Sequence, residues 1–250
     1  MSLMDVTRSV LASAVTAPRG LFGHGRDHQP ERLLELYEFE NCPHCRVVRE
    51  ALTQLDLDAL IYPCPKGGER FRPEVVAIGG KAQFPYLVDH NTNDRLYESV
   101  AIVRHLYAHY GHHRPNAARI ALLAKPPALA ASVARAGSGM HVRASRLPTE
   151  PLDLWSFEAS PFARLVRERL CELELPYRLH NVVKTTLADM MPPQLRNQWF
   201  ADYVPESANR QALLERTGAV QVPYLYDGNT DTGLFESADI LAYLDTTYAL

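Results

Sequence analysis

Residues 36–57, LYEFENCPHCRVVREALTQLDL, return at 154–175 as LWSFEASPFARLVRERLCELEL, and this doubling decides the fold. The displacement is 118 positions, with Cys42 matching Ser160. A second block, QFPYLVDHNTNDRLYESVAIVRHLYAHY at 83–110, returns at 221–248 as QVPYLYDGNTDTGLFESADILAYLDTTY, displaced by 138. The dithiol Cys42-Pro43-His44-Cys45 becomes Ser160-Pro161-Phe162-Ala163, so the architecture was duplicated and its redox chemistry was not. The 20 extra residues of the second copy lie between Lys184 and Arg210. Met190, Met191, Trp199 and Phe200 there imply either an extension packed over the domain or a lid over a pocket.

Outward from the repeat, apolar residues mark the elements. Leu34, Leu36 and Phe39 alternate with charged residues before Cys42, and Leu152, Leu154 and Phe157 do so before Ser160, as half-buried strands require. Pro43 is a favoured first helical residue, and Val47, Val48, Ala51, Leu52 and Leu55 then recur at helical spacing. Ile61 and Tyr62 read as a second strand, FRPEVVAIGG as a short helix closed by glycine, and Tyr86 to Val88 as a third strand. A turn rich in Asn and Asp, a strand at 95–97 and a helix carrying Ile102, Val103, Leu106 and Tyr107 follow. The order β-α-β-α-β-β-α is the thioredoxin arrangement, so the fold class is α/β with two tandem thioredoxin-like domains. The first covers 6–112, a helical connector 113–151, and the second 152–250, with its extra segment near 186–209. Arg8 ahead of VLASAVTA suggests a targeting peptide. However, a gapless slide of 118 aligns Leu11, Ala12, Val15 and Pro30 with Leu129, Ala130, Val133 and Pro148, which makes the stretch a structural helix preceding each domain. KPP at 125–127 and GSG at 137–139 punctuate the connector.

A net charge of −3 with no basic stripe argues against a nucleic-acid partner. No apolar run approaches the roughly 20 residues of a membrane span, so the protein reads as soluble. Four cysteines, two paired in C-x-x-C and two isolated, suit a reducing, cytoplasmic compartment in which thiols do chemistry.

A thiol at the mouth of a helix faces unpaired amides and the positive end of the macrodipole, which favour its anion. Cys42 holds that place and is the expected nucleophile; Cys45, one turn on, is placed to resolve a mixed disulfide. Zinc binding by this pair would need two more ligands, and the chain has no second C-x-x-C. Cys64 and Cys171 are expected to be buried small hydrophobes. His105, His109, His112 and His113 lie near one helix end, where imidazoles suit the dipole or an i, i+4 pair binds a metal; no metal is expected. Phe84-Pro85 and Val222-Pro223 each head a strand, where a residue without a donor implies a cis bond turning the backbone toward a ligand.

CPHCRVVREAL, PCPKGGERFRPEV, QFPYLVD and YESVAI together resemble the family of tandem glutathione-transferase N-terminal-like domains, and the CPHC resembles glutaredoxins. The resemblance implies glutathione as substrate or cosubstrate. Main chain at Phe84 and Pro85 would pair with its cysteinyl part, Glu98 and Ser99 would hold its γ-glutamyl end, and Lys66 would meet its glycyl carboxylate. The second copy keeps Lys184, Val222, Pro223, Glu236 and Ser237, while Ser160 either donates a hydrogen bond to a glutathione sulfur or belongs to a site kept for packing. Ser99 and Ser237 read as helix N-caps. A complete glutathione transferase continues into an all-helical domain, which is not expected here because the chain ends at Leu250. These features imply a glutathione-dependent thiol–disulfide oxidoreductase or thioltransferase acting on a disulfide or a glutathionylated protein. The alternatives are a transferase conjugating or isomerising an apolar electrophile, and a non-catalytic module holding glutathione, an iron–sulfur cluster or a protein.

Overall fold

The computed structural model describes residues 2–16, 19–26, 28–111, 116–191, 193–200 and 203–250. The first repeat runs β1 (Leu34–Glu38), α2 (Pro43–Gln54), β2 (Ala59–Pro63), α3 (Arg72–Gly79), β3 (Tyr86–Asp89), β4 (Asp94–Tyr97) and α4 (Ser99–Tyr110). The second runs β5 (Leu152–Ser156), α6 (Pro161–Glu172), β6 (Tyr177–Asn181), α7 (Pro193–Trp199), α8 (Ala208–Thr217), β7 (Tyr224–Asp227), β8 (Thr232–Phe235) and α9 (Ser237–Tyr248). Two further helices, α1 (Leu3–Thr16) and α5 (Ala117–Ala134), stand one before each repeat.

The strands form one eight-stranded sheet in the order β4-β3-β1-β2-β6-β5-β7-β8. Its centre is an antiparallel pairing of β2 with β6, in which Leu60 faces Arg178, its own counterpart 118 positions on. The order therefore reads the same from both ends, about a pseudo-twofold axis between Leu60 and Arg178. Joining the repeats here removes two exposed edges. One apolar cluster spans the seam, with Leu57, Ile61, Leu175 and Tyr177 all buried. At about 1.5–3 kcal/mol for each large side chain, this burial couples the two halves into one body.

Beneath the seam lies a buried charged layer. Arg49 meets Glu158 at 2.9 Å and Glu40 at 3.4 Å, while Arg167 meets Glu40 and Glu158 at 3.1 Å each. These four residues are pairwise counterparts, so each arginine bridges both repeats. The layer breaks symmetry at Glu38, which contacts Arg49: its counterpart is Ser156, whose hydroxyl accepts from Arg167 at 3.0 Å.

α1 packs on α5 and α6, and α5 on α1, α2 and α4. The two helices are related by 119 positions, not by the gapless 118. Ser9, Ala12 and Thr16 are the buried face of α1, and Ala128, Ala131 and Arg135 are buried along α5, whereas Ala130 is exposed. Gly20 and Gly139 obey the same spacing. Both have positive φ, and a Cβ on them would meet Glu158 Cβ at 2.8 Å and Glu40 Cβ at 3.0 Å. The first repeat has one residue more between this glycine and its strand; a one-residue slip turns a helix face by about 100°, which the identity match alone did not reveal. α5 also runs through Pro126 and Pro127 instead of breaking there. The carbonyls those prolines leave without donors belong to Leu122 and Leu123, on a solvent-exposed stretch.

The added segment of the second repeat departs from the packed-extension reading. Met190, Trp199 and Phe200 are exposed, Trp199 by 70%. The segment is tied down by polar contacts to Asp189, which accepts from the Thr185 and Thr186 amides at 2.9 and 3.0 Å, from Tyr203, and from Arg210 at 3.0 Å.

Candidate active site

The turn from β1 into α2 presents Cys42 as the N-cap of that helix, with Pro43 first inside it. The Cys42 carbonyl accepts the first helical bond from Arg46 at 3.0 Å, and its sulfur accepts from the Cys45 amide at 3.3 Å. A hydrogen bond from the Cys45 thiol brings the Cys42 thiol down to about 7; burial opposes this, while the Cys45 and His44 amides and the Arg49 charge assist. Burial, together with the adjacent Cys42 sulfur, pushes Cys45 well up. The pair thus divides into an acidic thiol and a neutral donor. Cys42 is only 4% exposed, while its chain neighbours Pro43 and His44 are half-buried and exposed. On its other side Asn41, with its amide oriented to satisfy both ends, donates to Ser132 of α5 at 3.0 Å and accepts from Gly137 at 3.2 Å.

β3 brings the proline loop to this turn. Tyr37 pairs with Tyr86, so continuing the antiparallel register by one and two steps matches Pro85 to Glu38 and Phe84 to Phe39. The Phe39 and Phe84 rings meet edge-on at 6.4 Å, and the Cys42 amide donates to the Phe39 carbonyl at 3.1 Å. Both Phe84-Pro85 and Val222-Pro223 are cis. Arg72, not singled out from the sequence, lies 4.7 Å from the Phe84 ring centre and donates to the Cys64 and Pro65 carbonyls at 3.1 and 2.6 Å. Its counterpart at a displacement of 138 is Arg210, which donates to the Val182 carbonyl at 3.3 Å. That recurrence was the available signal.

Ser99 and Ser237 are not N-caps. Glu98 and Glu236 occupy that position at φ 67° and 60°, with Ser99 and Ser237 buried as the first helical residues. The reason is the bonding: the Ile102 amide donates to the Glu98 carbonyl and Ile240 to Glu236, both at 3.0 Å. Gln83 donates to Glu98 and Gln221 to Glu236, tying each proline loop to the head of the following helix. The amides of residues 99–101 begin the helix with no partner inside it.

Lys66 is exposed, and its main chain is engaged by the connector: its amide donates to Met140 at 2.6 Å, and its carbonyl accepts from Val142 at 3.1 Å. Lys184 mirrors this with Leu21 at 3.2 Å and Gly23 at 3.4 Å. The Lys184 ammonium lies 5.2 Å from the Phe157 ring centre, and burial, then Arg210, lowers its pKa. Ser160 caps α6 as Cys42 caps α2, accepting from the Ala163 amide at 3.2 Å. α1 covers it, with Ser9 donating to the Pro161 carbonyl at 2.5 Å. Cys64 and Cys171 are buried, and burial pushes both thiols well up. The structure therefore sets Cys42 and Cys45 together at the head of α2, brings Phe84 of the proline loop against Phe39 of the same turn, and links Glu98 to that loop through Gln83. A cavity of about 420 Å³ between α1, α6 and α9, lined by Arg135, Glu168, Arg169 and Asp245, includes none of these residues.

Two stretches, 36–116 and 154–250, match the family model described as glutathione S-transferase, N-terminal domain. The chain belongs to this family. No curated protein and no solved structure matches it. It is a tandem of two glutathione S-transferase N-terminal-like domains, a glutathione-related protein of thioredoxin fold. No helix among the described residues is long and apolar enough to cross a membrane. Within the tandem, the capping atom at the head of α2 is a sulfur and at the head of α6 a hydroxyl oxygen.

Proposed function

We propose that the chain is a glutathione-dependent thiol–disulfide oxidoreductase of the cytoplasm, with Cys42 as nucleophile. The observation that carries this reading is the acidic Cys42 thiol at the mouth of α2, backed by a neutral Cys45. The Cys42 thiolate attacks one sulfur of a glutathione mixed disulfide, whether of a small molecule or of a protein. The S–S bond breaks, the departing thiolate takes a proton from water, and Cys42 is left joined to glutathione. A second glutathione thiolate then attacks the glutathione sulfur of that bond, forming oxidised glutathione and releasing Cys42 as a thiolate; alternatively Cys45, after giving up its proton, attacks the Cys42 sulfur, expels glutathione as its thiolate and forms a Cys42–Cys45 disulfide, which two further glutathione molecules reduce.

In this reading the unit 6–112 holds glutathione along Phe84 and Pro85, with its γ-glutamyl end at Glu98 and Ser99 and its glycyl end toward Lys66. Access to the nearly buried sulfur is from the side of His44 and Phe84, because α5 occupies the Asn41 side. The unit 152–250, with Ser160, Lys184, Val222, Pro223, Glu236 and Ser237, binds glutathione without redox turnover. The experiment is glutathione-driven reduction of a small mixed disulfide by wild type, Cys42→Ser and Cys45→Ser. Loss of turnover in Cys42→Ser with partial retention in Cys45→Ser is expected; full activity in Cys42→Ser sinks the mechanism.

A further inference from the structure

On the outer face of the first repeat, Asp94 at the start of β4 and His105 and His109 on α4 point their ligating atoms at one another, all within 4.8 Å. His105 Nε2 lies 2.8 Å from Asp89 Oδ2, while its Nδ1 faces Asp94 Oδ2 at 3.6 Å. That second distance exceeds a hydrogen bond but suits two donors sharing one ion, because bonds of about 2.0–2.2 Å at a tetrahedral angle set donors roughly 3.3–3.5 Å apart.

Asp89 is fully buried and also accepts from the Tyr110 hydroxyl at 2.6 Å and the Asn91 amide at 2.9 Å. The Asp89 contact engages His105 through Nε2 and leaves Nδ1 facing Asp94. This is the carboxylate–histidine arrangement that orients metal ligands. The His109 ring lies against that of His105, tilted by 38° with ring centres 4.4 Å apart, and is exposed, so the remaining coordination positions open to water.

The second repeat supplies an internal comparison. At a displacement of 138 the orienting carboxylate persists as Asp227, which accepts from the Tyr243 hydroxyl at 2.7 Å. The three ligand positions are Thr232, Tyr243 and Thr247. A helix end favouring imidazole accounts for His109; it does not account for Asp94 or for the change of all three positions around a retained aspartate.

We propose that Asp94, His105 and His109 bind one divalent transition-metal ion of the zinc class, with Asp89 as a positioning residue. The nitrogen-rich donor set disfavours magnesium and calcium. His112 and His113 fall outside the described residues and have no part in the argument.

The test is titration of the full chain with Co²⁺ followed by visible absorption, then displacement by Zn²⁺. One equivalent with weak d–d bands and no sulfur-to-metal charge transfer is expected, unchanged in Cys42→Ser/Cys45→Ser. His109→Ala and Asp94→Asn, both at solvent-accessible positions, weaken affinity at least tenfold, and Asp89→Asn lowers it by about 10–100-fold. Absence of the bands, bands lost with the cysteines, or affinity unmoved by His109→Ala each overturns the site.

Discussion

Replacing Glu38 by Gln should flatten the pH dependence of stability. Glu38 is buried beside Arg49 and is a member of the central charged layer whose counterpart, Ser156, carries no charge. Burial raises its carboxyl from the ordinary 4.5 to about 8; Arg49 opposes this, and Glu40, Cys42 and Glu158 add to the rise. A raised folded-state value means that the native protein holds the proton more tightly than the unfolded chain. This contribution is fully present below 4.5 and is lost as pH rises through about 8. The full span corresponds to up to about 5 kcal/mol. Gln keeps an acceptor for Arg49 and has nothing to ionise. Urea unfolding at about pH 5 should therefore show the variant within about 1 kcal/mol of wild type, and at about pH 9 more stable by about 3–5 kcal/mol. Glu50 and Asp56, each raised to about 7 by burial, keep a residual slope of the same sign in both proteins. Parallel wild-type and variant profiles across this window, or a variant weaker at the alkaline end, would refute the reasoning.

The remaining predictions concern the seam, the glycines and the metal. Arg167→Met leaves Glu40 and Glu158 short of a buried partner, a loss of about 3–5 kcal/mol that should lower the melting temperature by roughly 6–20 °C in calorimetry. A change within about 1 °C would show that the layer contributes nothing to the union of the repeats. Gly20→Ala and Gly139→Ala should each cost about 1–3 kcal/mol in denaturant titrations, since both combine positive φ with a close carboxylate side chain; unequal effects, one near zero, would break the 119-residue correspondence. Co²⁺ bands at the Asp94 cluster should vanish on addition of a chelator and return with excess Co²⁺, read by visible absorption; bands that resist the chelator would contradict an open, water-facing site.

Much of this arrangement was legible before any coordinates. Internal repetition fixed the element order, because apolar spacing survives in both copies even where Cys42 became Ser160. The union of β2 and β6 was not legible, since a strand with alternating burial reads alike whether its edge is free or paired. Glu98 as N-cap escaped because positive φ at a glutamate leaves no mark on composition, whereas serine is the usual capping residue. The one-residue offset between α1 and α5 escaped because an alanine-rich helix matches itself at several registers. Asp89 and Asp94 join His105 only through the β3–β4 turn, a proximity that no local motif encodes. The fractional exposure of Cys42 was equally hidden, because it depends on α5 packing against the head of a helix more than 60 residues earlier.

The most direct test is the ultraviolet absorbance of the thiolate as a function of pH, in wild type and in Cys42→Ser. A step near pH 7 that disappears in Cys42→Ser is predicted. Ionisation only at the ordinary value of 9.0 or above, or a step near 7 that survives the substitution, would contradict a poised Cys42 anion.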